Sequence, residues 1–225
     1  MNRPFTFINA AISADGKLST KERRQIRISG DRDFDRMDEL RASSDAIMVG
    51  IGTVLSDDPS LTVKSEERRN SRKARGLDEN PTRIVVDSKA RIPLDADIFR
   101  KGEGLRIVAV SNAASFDKVQ LLRTKATVIM TGEEKVDLVS LMSILQEMGI
   151  NRLMVEGGAT LNWGLVSNGL VDEIYTFVGN IIIGGSNAPS LIDGDGFSET
   201  QLQKLELLDS EVIEDGILLR WKIKQ

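Results

Sequence analysis

The segment Val155-Glu156-Gly157-Gly158-Ala159-Thr160-Leu161-Asn162 ends a short apolar run, Arg152 to Val155, in two glycines and then continues into a helical pattern. A buried strand that turns through glycine into a helix is the repeating unit of mostly parallel α/β sheets. Working outward, similar β-rich runs recur at Phe5 to Ala11, Ala46 to Ile51, Arg83 to Val86, Arg106 to Val110 and Thr127 to Met130. Each is bounded by Gly, Asp, Asn or Ser, as buried strands are. Between several of them lie helical patterns. Phe34, Met37 and Leu40 follow Asp31, and Leu138, Leu141, Met142, Leu145 and Met148 end at Gly149 with Asp137 placed as N-cap. After about Val171 the alternation stops. Leu202 to Leu208 and Ile217 to Ile223, joined by Glu214-Asp215-Gly216, read as an antiparallel hairpin. The expected fold class is α/β, with a mostly parallel central sheet, helices on both faces and a C-terminal antiparallel hairpin. The most polar stretch, Lys64 to Asn80, reads as a loop between two strands.

The chain has 225 residues, and no composition break marks a linker, so one domain spanning 1–225 is expected. Apolar residues make up 40% and charged residues 28%, enough to bury a core. A formal charge of −4 argues against general affinity for nucleic acid or an anionic membrane and leaves a small ligand as the expected partner. Histidine and cysteine are both absent. That excludes Ser-His-Asp and Cys-His nucleophile systems, thiolate chemistry, disulfides and an ordinary zinc site, so no metal is expected. The uncharged stretch Thr176 to Ile192 approaches membrane-spanning length, but Gly179, Asn180, Gly184, Gly185, Ser186, Asn187 and Pro189 interrupt it. With no signal-peptide pattern at the amino terminus, a cytoplasmic protein is expected.

Two glycines between strand and helix let a phosphate approach the backbone, and the first-turn N–H groups with the helix dipole favour its charge. A tight turn needs the same glycines without a ligand, so both readings stand. Glu156, at the carboxyl end of a strand, lies where open α/β sheets place their ligands, or else is a solvated loop acid. The pair Gly50 and Gly52 lacks the third glycine of a dinucleotide fingerprint, and no Walker motif occurs. The basic cluster Lys64, Arg68, Arg69, Arg72, Lys73 and Arg75 reads mostly as solvated charge, with Lys64 in reach of a substrate phosphate.

Three segments together carry a resemblance: Asn9 to Lys17; Leu40 to Ile47 leading through Gly52-Thr53-Val54-Leu55-Ser56-Asp57-Asp58-Pro59 to Val63; and Val155 to Leu161 with Gly169-Leu170-Val171-Asp172-Glu173. From about Phe5 to Gly185 the chain resembles the riboflavin-biosynthesis reductase family, whose fold is that of dihydrofolate reductase. The His and Cys ligands of the zinc deaminase often fused to bacterial members are absent. Asn9, where bacterial forms usually carry lysine, is similar to the free-standing archaeal and fungal branch.

The resemblance implies an oxidoreductase using NADPH, with NADH left open. The implied substrate is 2,5-diamino-6-(ribosylamino)pyrimidin-4(3H)-one 5′-phosphate, whose ribosyl group becomes ribityl. It places the cofactor against Ala11, Thr53, Asp57, Ser88, Gly157, Gly158, Ala159 and Thr160. The substrate falls to Asn9, Arg41, Leu61, Lys64 and Glu156, with Glu156 also the candidate catalytic group. Lys64 stands where members often have arginine, and Lys21 to Ile28 lacks the Ser-x-Trp of bacterial forms. A homodimer is implied by the resemblance and by the uncharged Thr176 to Ile192 stretch. A dihydrofolate-reductase-like enzyme for another pterin or pyrimidine, and a catalytically silent nucleotide-binding protein, remain as alternatives.

Overall fold

A computed structural model describes residues 2–24 and 26–224, which divide into two compact units. The first comprises residues up to 5 and 38–154, the second residues 6–37 and 155 onward.

In the first unit the sheet order is β5-β4-β3-β2-β6, where β2 is Ala46–Gly50, β3 Thr82–Val86, β4 Arg106–Val110, β5 Thr127–Met130 and β6 Arg152–Val155. The β2–β3, β3–β4 and β4–β5 ladders are all parallel, with Met48 opposite Ile84 and Ile84 opposite Ile107. Every residue of β2 is buried, and Ile84, Val85, Ile107 and Val108 have no exposed surface. Unbroken apolar runs are what parallel strands covered on both faces require. Between the strands run α2 (Ile51–Asp57), α3 (Glu66–Ala74), α4 (Asp97–Arg100), α5 (Phe116–Arg123) and α6 (Leu138–Glu147). The Asp137 carboxylate caps α6 by accepting from the N–H groups of Val139 and Ser140.

Several boundaries differ from the sequence reading: β3 begins at Thr82 and not Arg83, β1 (Phe5–Ser13) runs two residues past Ala11, and two differences matter most. Ile51 opens α2 rather than closing β2, and the stretch Lys64 to Asn80 contains α3. That helix has no apolar stripe. Ser65 caps it by accepting from the Arg68 N–H, Glu66 and Glu67 sit at its amino end, and Arg72 and Lys73 at its carboxyl end. Its inward group is Arg72, only 3% exposed, which donates to the carbonyls of Ala42, Ser44 and Asp78. Arg72 is thus a structural anchor and not solvated charge.

Arg83, fully buried within β3, has no ion-paired carboxylate among the described residues; its guanidinium donates to the carbonyls of Ile98, Lys101, Gly102 and Glu103. Burial, and then the nearby Arg106, lower its pKa to about 10.

In the second unit the order is β1-β7-β9-β8, with β1 Phe5–Ser13, β7 Glu173–Gly179, β8 Leu205–Ile213 and β9 Gly216–Ile223. β1 and β7 are parallel, while β7–β9 and β8–β9 are antiparallel; the C-terminal hairpin is present, but its first strand begins at Leu205 and runs to Ile213 where Leu202 to Leu208 was expected. The uncharged Thr176 to Ile192 stretch begins inside β7 and leaves it as loop; among the described residues no helix is long and apolar enough to cross a membrane. This unit also holds α7 (Ala159–Ser167) and the first residues of α1 (Asp31–Ser43), which from Asp38 onward belongs to the first unit.

Candidate active site

After β6 the chain enters the second unit and reaches α7 through Glu156, Gly157 and Gly158. The glycines have φ of 132° and 100°, backbone that side-chain-bearing residues rarely adopt. Gly158 is the N-cap of α7, and its carbonyl accepts the Asn162 N–H at 2.8 Å. Helix geometry leaves the first-turn N–H groups without intrahelical acceptors, which suits an anion. The turn is braced from behind. The Ala159 carbonyl accepts from the Asp193 N–H at 3.1 Å, and the fully buried Asn162 amide donates to the Leu191 carbonyl at 2.8 Å. Glu156 is half-buried at the mouth of this turn, and Thr160 is exposed on its first helical turn.

Asn9 and Ala11 point to one face of β1. Asn9 is 7% exposed, and its Oδ1 accepts from Arg36 Nη2 at 2.8 Å. Arg36 is itself held by Asp33 at 2.7 Å. Below them Asp15, at the turn after β1, accepts from the Ser13 hydroxyl and from the N–H groups of Ile183 and Gly184. These bonds, the Ser13 one foremost, lower its pKa to about 2.

In the first unit Thr53 and Asp57 lie on α2 four residues apart, hence on one face. Asp57 is half-buried, and its Oδ1 is a buried oxygen without a hydrogen-bond partner. A buried acceptor left unmet is costly, so this atom is suited to a donor from a ligand. Ser88, just beyond β3, accepts from the Val136 N–H at 3.0 Å.

The second cluster in this unit gathers on Thr62. Buried Arg41 donates to the Thr62 carbonyl at 3.1 Å, and the Lys64 ammonium donates to the Thr62 hydroxyl at 2.8 Å and to Ser60 at 2.9 Å. Lys64 is exposed as a residue, yet its ammonium folds back onto these hydroxyls. Partial desolvation there, and then the Arg41 charge, lower its pKa. Two cations held this close favour an anion. Leu61, by contrast, is 2% exposed with a left-handed φ of 52°, so it offers shape and backbone more than open surface. The basic cluster that begins at Lys64 divides: Arg68 pairs with Asp38 at 3.1 Å, Arg69 donates to the Val63 and Lys64 carbonyls, and Arg72 is buried.

The structure thus brings together Arg41 with Lys64, Thr53 with Asp57, Asn9 with Ala11, and Glu156 with the Gly turn. Sequence reasoning missed Asp38, Thr62 and Arg36, whose roles come from three-dimensional partners. Among the described residues no group of three or more acids is placed to hold a metal ion.

A curated relative, the 2,5-diamino-6-ribosylamino-4(3H)-pyrimidinone 5′-phosphate reductase of Archaeoglobus fulgidus, is 49% identical over 91% of this chain and 93% of its own length. Among solved structures, a pyrimidine reductase-like protein from Corynebacterium diphtheriae superposes with a TM-score of 0.84 at 20% identity, covering 100% of this chain and 93% of that one. Enterococcus faecalis dihydrofolate reductase matches with a TM-score of 0.52 at 12% identity, covering 98% of this chain and 97% of its own, so the fold is dihydrofolate-reductase-like. The RibD C-terminal domain model matches residues 4–219, and the chain belongs to that reductase family.

Proposed function

We propose that this chain reduces the ribosyl group of 2,5-diamino-6-(ribosylamino)pyrimidin-4(3H)-one 5′-phosphate to ribityl, using NADPH, and that it works as a homodimer. The observation that carries the reading is the 49% identity, over 91% of the chain, to a relative bearing that activity's name. The residues fit a nicotinamide cofactor. Within the second unit the Gly157 to Thr160 backbone suits its phosphates; within the first the unpartnered Asp57 Oδ1 suits a donor; the roles of Thr53, Ser88 and Ala11 rest on the resemblance to the family.

When bound, the cofactor supplies a hydride. The chain's own work is positioning, which agrees with its lack of histidine. Arg41 and Lys64 hold the substrate 5′-phosphate and polar edge, and Asn9 lines the substrate. Glu156 orients the pyrimidine or ribose and holds the proton that the imine nitrogen takes up as C1′ is reduced. Its carboxylate repels a pyrophosphate placed directly on it, which leaves the glycines to the cofactor and Glu156 to the substrate.

Purified protein assayed for NADPH oxidation with the diamino phosphate and its deaminated counterpart, side by side, tests this. Turnover favouring the diamino compound is expected. Cofactor binding without turnover of either would make the chain a silent nucleotide binder, and turnover only of another pterin or pyrimidine would make it a relative with a different substrate.

A further inference from the structure

Residues 58–65 form neither helix nor strand, so their N–H groups have no ladder to enter. Three in succession go to buried side chains instead. Lys64 and Ser65 donate to Asp38 of α1, and Val63 donates to Asn80 Oδ1 at 2.9 Å. The segment that carries Thr62 and Lys64 is thus hung between α1 and a residue just ahead of β3. Asn80 is 1% exposed, and its amide has a fixed sense. Its Nδ2 donates to the Glu103 carbonyl at 3.1 Å and to the Glu79 carboxylate at 3.2 Å, which leaves Oδ1 for Val63. The Glu103 carbonyl also accepts from Arg83 Nη2 at 3.1 Å. One shared carbonyl therefore links the buried arginine to the loop.

Gly102 forms the rest of this wall. Its φ is 65°, and a Cβ placed on it would lie 2.7 Å from Thr62 Cγ2 and 2.9 Å from Asn80 Nδ2. The methyl and hydroxyl of a threonine share one carbon, so displacing the methyl swings the hydroxyl. That hydroxyl accepts from the Lys64 ammonium, and the Thr62 carbonyl accepts from Arg41. Both cations are thereby set by the placing of Thr62. Like charges repel, so their spacing needs a stiff support. After burial and Arg41, the charge of Lys101 lowers the Lys64 pKa, which adds a third cation beside the same wall.

We propose that Asn80 and Gly102 are positioning residues for the phosphate-bearing end of the substrate, acting through Val63 and Thr62 on the spacing of Arg41 and Lys64. This rests on the reading above that these two cations hold a phosphate. It also gives buried Arg83 a purpose, since its hold on Gly102 and Glu103 keeps the wall in place.

The test follows the amide NMR signals of Thr62 to Ser65 in the intact protein as ribose 5-phosphate is titrated, with ribose as control. In the parent the phosphate ester shifts them and ribose does not. Gly102→Ala and Asn80→Asp should each raise the ribose 5-phosphate dissociation constant about tenfold, the scale of one hydrogen bond to a charged group. KM for the diamino phosphate should rise in step, with kcat and the NADPH KM unchanged. Two further variants separate this from general loosening. Gly76, with φ of 76°, has nothing within 4 Å of an added Cβ, so Gly76→Ala imposes similar backbone strain without touching Thr62 and should bind as the parent does. Thr62→Ser in the Gly102→Ala background deletes the methyl and keeps the hydroxyl, and should recover much of the loss. Equal weakening by Gly76→Ala overturns the proposal, as does an unchanged dissociation constant in folded Gly102→Ala or Asn80→Asp protein, or a double variant as weak as Gly102→Ala alone. Should ribose 5-phosphate leave the parent's signals unmoved, the phosphate is held elsewhere, and the reading of Arg41 and Lys64 falls together with the proposal.

Discussion

Asp38 holds Lys64 by its main chain: Asp38 Oδ1 accepts the Lys64 N–H at 2.5 Å, while the lysine's ammonium turns to Ser60 and Thr62. The other oxygen of Asp38 accepts from the Ser65 N–H and from Arg68. One carboxylate, 5% exposed, thereby fixes both the residue proposed to meet the phosphate and the cap of α3. Asp38→Ala should raise the substrate KM about tenfold and leave the cofactor KM near its normal value. It should also destabilise the fold by about 1–3 kcal/mol through unmet N–H groups. Asp38→Asn, which keeps one acceptor, should recover part of both. Steady-state kinetics and thermal melts decide this; a KM unchanged in a destabilised protein would make Asp38 purely structural.

Asp57 carries a buried oxygen that nothing among the described residues satisfies. Asp57→Ala removes that unmet acceptor, so the protein without ligand should melt no lower than the parent, while the cofactor KM rises several-fold. The opposite pattern, lower stability with an unchanged KM, would make Asp57 a turn-former ahead of Pro59.

Glu156→Gln keeps shape but removes charge and the proton. kcat should fall about 10²-fold, and NADPH affinity measured by calorimetry should stay the same. A loss confined to substrate KM would mean orientation only. Full activity would return Glu156 to a half-buried acid with no part in the reaction.

Asp15 has its pKa lowered to about 2 by hydrogen bonds from Ser13, Ile183 and Gly184. For a depressed carboxylate, the stabilising bonds are fully present above the unfolded value of 3.8 and are lost as pH falls toward about 2. The Asp15 carboxyl should titrate near 2 by NMR, and Asp15→Ala should speed amide exchange at Ile183 and Gly184 at neutral pH. A titration midpoint near 3.8 would show that the tether is absent in solution.

The inner strands were legible because burial on both faces leaves no alternative to an unbroken apolar run: β4 and β6 have the boundaries their sequences suggest, and so does β5, an edge strand with Thr127 and Met130 exposed, through its β-rich composition. The cap at Asp137 and the turn before Gly216 follow from equally local chemistry. α3 was not legible, because its inward contact is an arginine feeding the nearby Asp78 carbonyl and two carbonyls distant in sequence, those of Ala42 and Ser44. Asp38 was hidden for a related reason. Read along α1 it is one more surface acid, and only the fold brings Lys64 to it. Glu156 and the glycine pair were visible because one short segment contains strand end, turn and helix start. The clustering of Arg41 and Lys64 on Thr62 needs a chain reversal that no local pattern encodes.

The carbonyl cage around Arg83 bears on how the chain meets proteases. Arg100, Lys101 and Arg106 lie within a few residues of one another, a stretch that trypsin would favour. Proteases bind their substrates extended, with main-chain carbonyls available to the enzyme. Here the carbonyls of Lys101, Gly102 and Glu103 are already committed to a guanidinium inside the β3 strand. Cleavage in this loop therefore requires that Arg83 first leave the core, which makes nicking after Lys101 a reporter of opening in the first unit and not of loop motion alone.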